Sequence, residues 1–511
     1  MNVITSLVRP FLLRPWRASQ ATATPAGVEA AQRRVLDHLL SRGRRTSYGD
    51  RYDFGSLTGY EAFCRRVPVV QYEDIRADVE QMIGGAPDIL WPGRTMRYAQ
   101  SSGTSGGKSK YIPITSEGLR TNHYGGTRAA VAFYLNSNPA SRLFSGRSFI
   151  LGGSFANELK DLPDGVKVGD LSAHLIERIP RFAEIFRVPS RRTSLMSDWN
   201  AKLPRLVAEA SKANVTNISG VPSWFLTVLK EILRTTGADN IHDVWPGLEV
   251  FFHGGIAFGP YREQYRAITD PSRMHYVETY NASEGFFAVQ DDTEVRAMRL
   301  LVDIGVFYEF IAVDAVGESF PEALPAWKVE PGSTYALVIT SANGLWRYLP
   351  GDTVRIESVE PLRITIAGRT SAFINAFGEE LMVWNADAAI AAACAATGAA
   401  VANYTAGPVY ATEASRGRHR WLIEWNTPPR GGNEAFAAIL DRELQRVNSD
   451  YQAKRSGDIF LDRLELREVA AGTFDRWLAA TGRLGGQRKV PRLSNTPALT
   501  DAILGFSGAD S

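Results

Sequence analysis

The sequence predicts an α/β protein: a large N-terminal domain of mixed β-sheets flanked by helices, then a small α+β domain. Three observations carry this. Short apolar strands alternate with helical stretches through the middle of the chain. After Gly378 the composition turns alanine-rich and the order becomes α-β-β-α-β. The 511 residues, 44% hydrophobic and 22% charged, suffice at about 150 per domain for roughly three domain-sized units and a large core. No run approaches the roughly 18 apolar residues of a membrane span. Lys and Arg number 57 against 55 acids, and a net charge of +2 gives no whole-chain field to gather nucleic acid. Disordered, fibrous and integral-membrane classes are thereby excluded, and nucleic acid is not an expected partner. Cys64 and Cys394 lie far apart without CxxC spacing. That argues against a disulfide framework, a cysteine zinc site or a redox motif, and fits a reducing cytoplasm.

Taken in order, the elements begin with MNVITSLVRPFLLRPWRASQATATP, whose apolar stretch Arg9 and Arg14 cut too short for a signal peptide. Residues 1–50 hold eight arginines against three acids. A short arm packed on the body is expected, with a surface helix touching lipid or a partner as the alternative. Helical spacing over Val28–Leu40, Tyr60–Cys64 and Tyr72–Met82 predicts helices, the last two split by the stiff VPVV of residues 67–70. RYAQSSGTSGGKSKYIPIT (97–115) is the densest turn-forming stretch and leads into the β-type run Tyr111–Ile114. A helix is expected after Ser116. Strands are expected at Ser148–Leu151, Glu249–Phe252, His275–Glu278, Tyr335–Thr340 and Thr353–Ile356, with helices at Pro204–Lys212 and Phe225–Thr235. A boundary near Gly378 divides the chain into 1–377 and 378–511. Beyond it, Ala386–Ala396 reads as helix, Ala400–Tyr404 and Trp421–Trp425 as strands, Glu434 to about Lys454 as helix and Ile459–Glu468 as strand. This order suits a split βαβ unit.

The loop SSGTSGGKSK (101–110) admits three devices. Gly103-Thr104-Ser105-Gly106-Gly107 satisfies G-x-S-x-G, but a nucleophile elbow needs a helix directly after its serine. Gly103 to Ser109 is one residue short of a Walker A loop, and that device also needs a following helix. Tyr111-Ile112-Pro113-Ile114 follows instead, and its proline and β-branched residues disfavour a helix. The third device is a hairpin-like loop whose backbone N–H groups, hydroxyls and Lys108 or Lys110 surround a polyphosphate; a plain surface loop is its alternative. Elsewhere, EVFFHGG (249–255) reads as an apolar strand ending in Gly254 and Gly255, where a flat ligand can lie on bare backbone. His253 is a contact there or only a strand-end residue. TYNASEG (279–285) offers Tyr280 for stacking on a base and Glu284 as a hard oxygen ligand. Asp352, in a Gly-Asp step, can accept from both ribose hydroxyls.

Eight segments in order resemble the auxin-responsive (Gretchen Hagen) acyl-acid amido synthetase family, which belongs to the acyl-adenylate-forming enzymes. They are VPVVQYEDI (67–75), the loop itself, SGVPSW (219–224), TYNASEG (279–285), LWRYLPGD (345–352), AGRTSAFINAFGEEL (367–381), LQRVNSDYQAKR (444–455) and GQRKVPR (486–492). Within LWRYLPGD, Pro350 departs from the family's pattern without removing a ligand.

The resemblance implies a large adenylate-forming domain, a mobile C-terminal domain turning about a hinge near Asn375–Gly378, and two half-reactions. ATP and a small carboxylic acid give an acyl-adenylate and pyrophosphate; the acyl group then passes to an amine, usually of an amino acid. It further implies that Ser101, Ser102, Gly103, Thr104, Ser105 and Lys110 hold phosphates, and that Gly254, Gly255, Thr279, Tyr280, Asn281 and Ser283 surround the nucleotide. By the same resemblance Glu284 binds Mg²⁺, Asp352 the ribose, Arg369 ribose or phosphate, and Lys489 the α-phosphate on closure. Val221, Trp224 and Phe225 are expected to line the acyl pocket. A monomer is expected. Three alternatives stay open: an acyl-CoA synthetase with the same adenylation site, a serine hydrolase built on Ser105, and a nucleotide-binding protein without catalysis.

Overall fold

The computed structural model describes residues 9–101, 110–157, 159–255, 258–369, 373–374, 376, 379, 381–410, 417–448, 451–452, 455, 461–481, 489–494 and 496–507. They fall into two compact units. The first holds residues up to 255 and 267–365; the second holds 258–266 and 366–507. The division therefore lies ahead of the expected boundary at Gly378, and the second unit also takes in a short segment from the middle of the chain.

In the first unit, the helix Pro25–Gly43 starts where Thr24 accepts a hydrogen bond from the Gly27 N–H and proline occupies the first turn. It buries Val28, Ala31, Leu36, Leu39 and Leu40. The helix Tyr72–Ile83 opens with a reciprocal Gln71–Asp74 cap. The helical run after Ser116 departs from expectation: Leu119–His123 widens to a π turn before Tyr124–Ser137 resumes as α-helix.

The strands, in chain order, are β1 (Arg97–Ser101), β2 (Lys110–Pro113), β3 (Arg147–Ile150), β4 (Lys167–Gly169), β5 (Arg187–Val188), β6 (Val215–Gly220), β7 (Val250–Gly254), β8 (His275–Asn281), β9 (Phe286–Val289), β10 (Met298–Leu300), β11 (Val306–Ile311), β12 (Ala323–Pro325), β13 (Thr334–Ser341), β14 (Leu345–Tyr348), β15 (Asp352–Val359) and β16 (Leu362–Arg369). β1 and β2 form a hairpin with β4 alongside. The others make one sheet in the order β12-β11-β13-β15-β16-β10-β9-β8-β7-β6-β3-β5, with β14 paired to β13. β5, β3, β6, β7 and β8 run parallel, and β9 is the first antiparallel neighbour. β6 and β7, inside the parallel part, are buried along most of their length, as strands covered on both faces are. In such sheets ligands bind beyond the carboxyl ends of the strands, which is where every predicted nucleotide residue of β7 and β8 lies.

The second unit contains the hairpin β17 (Phe373–Ile374) and β18 (Leu381–Met382), and a sheet of β19 (Ala400–Val409), β20 (Arg418–Thr427) and β21 (Glu465–Val469). β20 pairs antiparallel with β19 and parallel with β21. The helix Gly432–Val447 links two adjacent strands, so this is an unsplit βαβ with β19 added to the other edge of β20, a correction to the split unit expected. That helix also stops before Lys454. Asn448 turns extended and its side chain accepts from the Tyr451 N–H, the local competition that asparagine offers a helix. Ile390, Trp421, Ile423, Phe436 and Leu440 fill this unit's core.

Candidate active site

Ser101 and Lys110 close the β1–β2 hairpin as directly opposed partners, so the chain between them leaves from one strand end and returns to the next. Ser102, Gly103, Thr104 and Ser105 lie outside the described residues. Lys110 is half-buried at the start of β2.

Gly254 ends β7 opposite Thr279 of β8. A Cβ at Gly254 would overlap the carbonyl oxygen of Thr279, so only glycine permits this strand spacing. Gly255 follows at φ +80, a left-handed turn that glycine adopts without strain. Thr279 donates its hydroxyl to the His253 carbonyl at 3.0 Å, which ties the two strand ends together. His253 is itself buried.

Between β8 and β9 the chain reverses at Asn281–Gly285, where the sheet changes from parallel to antiparallel. The Ala282 N–H bonds the Gly285 carbonyl at 2.8 Å to close the turn. Two asparagines hold it. Asn122, in the π turn, accepts from the Phe286 N–H at 2.7 Å and donates to the Phe286 carbonyl at 2.8 Å. Asn343, beyond β13, donates to the Glu284 carbonyl at 3.4 Å and accepts from the Thr115 N–H at 3.1 Å. Gly118 is required beside it, since a Cβ there would collide with the Asn343 side chain. Glu284 and Ser283 are buried by this arrangement, Asn281 is exposed, and the Ser283 hydroxyl finds no partner among the described residues.

Asp352 begins β15 and accepts a 2.6 Å hydrogen bond from the Tyr280 hydroxyl. The Tyr280 ring packs edge-on to Phe287, with centroids 4.9 Å apart, and is almost wholly buried. This corrects the expectation that the ring stacks on a base: it is a core side chain whose hydroxyl orients the aspartate. Asp352 in turn follows Arg347, which lies in left-handed backbone at φ 42 and is completely buried against Glu309.

Val221 and Trp224 stand half-buried at the start of the helix Pro222–Thr236, just beyond β6, whose Gly220 pairs with His253. Phe225 is fully buried against Phe149 and Phe251, so its packing is that of a core residue and not of a pocket wall. Arg369 ends β16. In the second unit, exposed Lys489 immediately precedes a segment clamped beside β19. There the Ala406 N–H donates to the Arg492 carbonyl at 2.9 Å, and the Arg492 guanidinium lies 4.5 Å from the Tyr404 ring centre and donates to Asn403 at 2.8 Å. Of the inferred hinge, Asn375, Phe377 and Gly378 lie outside the described residues.

Asn122, Asn343 and the Tyr280–Asp352 pair were not legible as site features. Asn343 carried one usable signal, its place in the turn-forming SANG next to a nucleotide motif. The assembled first unit places a glycine-edged strand end, a buried glutamate turn and an oriented aspartate around the carboxyl ends of β7 and β8. No group of three or more His, Cys, Asp or Glu side chains gathers as a metal cluster among the described residues.

The fold is that of the adenylate-forming ligases. It superposes on the GH3.15 acyl acid amido synthetase in complex with 2,4-DB with a TM-score of 0.78 at 18% identity, covering 96% of this chain and 95% of that one. A 2-hydroxyisobutyryl-CoA ligase in the postadenylation state gives 0.59 at 14% identity, with 95% and 92% covered. Residues 19–274, 299–369 and 384–498 match the GH3 family N-terminal, central and C-terminal domains. The chain belongs to the GH3 family. Among its relatives, an indole-3-acetic acid-amido synthetase GH3.4 of Arabidopsis thaliana is 22% identical, covering 92% of this chain and 90% of that protein. A probable indole-3-acetic acid-amido synthetase GH3.1 of Oryza sativa subsp. japonica is 24% identical, with 91% and 87% covered.

Proposed function

We propose that this protein is an ATP-dependent acyl-acid amido synthetase: it converts a carboxylic acid to an acyl-adenylate with release of pyrophosphate, then passes the acyl group to an amine, in the simplest case that of an amino acid. The observation that carries the reading is the oriented, buried Asp352 beside the Glu284 turn, in a chain matching all three GH3 domains. Adenylation needs no covalent protein nucleophile. Its catalysis comes from positioning and from charge neutralisation around phosphate. Asp352, held by Tyr280, would accept from the ribose hydroxyls; Ser101 and Lys110, with the loop between them, would take the phosphates; Gly254 and Gly255 would admit the adenine against bare backbone.

Mg²⁺ suits this donor set. It is commonly held by one or two carboxylates and shared with phosphate oxygens, which needs no cluster of protein ligands. Glu284 would hold it, and bound there it would neutralise phosphate charge. Lys489 would take the α-phosphate, a role supported by family likeness. Val221 and Trp224 would flank an apolar acid. Two unpaired cysteines favour a reducing cytoplasm.

The test is to incubate the protein with ATP, Mg²⁺, a panel of aromatic and aliphatic acids and the common amino acids, and to measure AMP, pyrophosphate and conjugates. Acid-dependent AMP formation that Glu284→Ala abolishes is expected, with amide rather than thioester as product when coenzyme A competes. Thioester formation would make it an acyl-CoA synthetase, and absence of ATP binding would overturn the nucleotide reading.

A further inference from the structure

At the far end of the β1–β2 hairpin from Ser101 and Lys110, roughly 13 Å along the strands at 3.3 Å per residue, lies a second hollow. It measures about 830 Å³, and Arg42, Arg94, Arg97, Arg120 and Arg178 line it with a single acid, Glu117. That acid is already engaged by His38 at 2.6 Å and Arg42 at 3.4 Å. Glu177, beside Arg178 in sequence, is taken by Arg97 and Lys167. The guanidinium groups of Arg94, Arg120 and Arg178 therefore have no carboxylate partner among the described residues, and all three residues are exposed. Concentrated cationic charge of this kind, unneutralised from within, is complementary to clustered phosphate.

A second observation adjoins it. The short 3-10 helix Arg181–Phe186 exposes Phe182 at 75%, Ile185 at 63% and Phe186 at 53% of their surface. Single exposed apolar side chains are ordinary; three within five residues, bordered by exposed Arg178, Arg181 and Arg192, are not. The helix's own acid, Glu184, is paired with Arg191 at 2.8 Å. Arg178 lines the hollow and lies four residues before Phe182, a span of at most about 14 Å, so the apolar turn starts within that reach of the hollow's rim.

We propose that this face docks the protein on an anionic phospholipid surface, with Phe182, Ile185 and Phe186 entering the boundary between headgroups and acyl chains while the arginines of the hollow take lipid phosphates. The docking is peripheral, as no helix among the described residues is long and apolar enough to cross a membrane. An apolar turn alone would accept any greasy partner. The arginines beside it select a surface that presents many phosphates at once, and attraction to anionic lipid adds to apolar insertion. None of these residues belongs to the nucleotide site, so docking and chemistry are separable.

The full chain is sedimented with vesicles of phosphatidylcholine alone or with about 30 mol % phosphatidylserine, at low and high salt. Expected is at least about tenfold tighter binding to the anionic vesicles, weakened by salt. Arg94→Gln with Arg178→Gln should remove the preference for anionic lipid, and Phe182→Ser with Ile185→Ser should weaken binding to the same vesicles. Both variants should keep ATP-dependent pyrophosphate release on a water-soluble acid, or, should the parent lack that activity, its circular dichroism and melting temperature. Binding no better to anionic than to neutral vesicles, or unchanged in both variants, overturns the proposal. So does a dimer in solution that Phe182→Ser with Ile185→Ser dissociates, which would make the face a contact between two copies.

Discussion

Arg347 and Glu309 form an ion pair with neither side chain exposed to water: the guanidinium lies 2.9 Å from a Glu309 oxygen, and its Nε donates to the same carboxylate at 3.0 and 3.1 Å. The other amino group of Arg347 donates to the carbonyls of Cys64 and Val67 at 2.8 and 2.7 Å. Its backbone carbonyl accepts from the Val70 N–H at 3.0 Å, and Leu349 donates back to Val70 at 2.9 Å. One residue therefore joins the stiff VPVV segment to β14, from which the chain leads to Asp352 at the start of β15. The left-handed φ of Arg347, which costs about 1–2 kcal/mol for an L-residue, persists because these bonds over-determine it.

Breaking this pair from one side should be severe. Glu309→Gln leaves a buried guanidinium without its counter-charge, and a loss of about 3–5 kcal/mol in unfolding free energy is expected from urea titration. Arg347→Met with Glu309→Leu should recover part of that loss. An unchanged urea midpoint in the single variant would contradict the role given to the pair.

Tyr280→Phe removes the hydroxyl that orients Asp352 while keeping the ring against Phe287. A hydrogen bond to a charged group contributes about 1.5–3 kcal/mol, so the KM for ATP should rise about 10- to 100-fold, with kcat less affected and thermal stability nearly parental. A fall in kcat at unchanged KM would place the tyrosine in another role.

Gly254→Ala must push β7 and β8 apart at the strand end, since the new methyl group meets the Thr279 carbonyl. Overpacking of about 1–3 kcal/mol is expected, together with loss of ATP affinity measured by calorimetry. Parental affinity would show that the strand end yields more easily than the geometry allows.

Burial pulls two histidines, His123 and His174, from 6.5 down to about 4. Both are neutral in the folded state, whereas the unfolded chain takes up their protons as the pH falls through 6.5. Stability is thus fully present above about 6.5 and lost between there and about 4, by about 3 kcal/mol for each histidine. The double variant His123→Gln, His174→Gln should show a shallower decline of urea midpoint from pH 7 to 4.5 than the parent. Parallel declines would mean that neither group titrates as placed.

Much of the architecture was legible because its periods are local. The β-branched and aromatic runs of β7, β8 and β13 and the helical spacing of Pro25–Gly43 need no knowledge of what packs against them. The positions of the candidate site residues along the elements are legible for the same reason: Gly254-Gly255, Glu284 and Asp352 each sit at an element end marked by turn-forming neighbours. What failed is equally instructive. Tyr280 was read as a base-stacking ring because an aromatic next to a turn looks available, and only the proximity of Phe287 and Asp352 makes it a core residue with a positioned hydroxyl. The adjacency of β20 and β21 was likewise illegible, since strand order within a sheet leaves no local mark.

The sequence by itself determined the element types, the two-part organisation and the family, because these depend on periodicity and on motifs carried in order along the chain. The tertiary structure alone decided which distant groups meet: Asn122 and Asn343 on the Glu284 turn, Tyr280 on Asp352, Glu309 beneath Arg347, and the arginines that gather around one hollow. Residues 38 to 164 positions apart are brought together by the order and direction of the strands, and once buried there their charges and hydroxyls must find partners. That requirement acts only after the chain has folded.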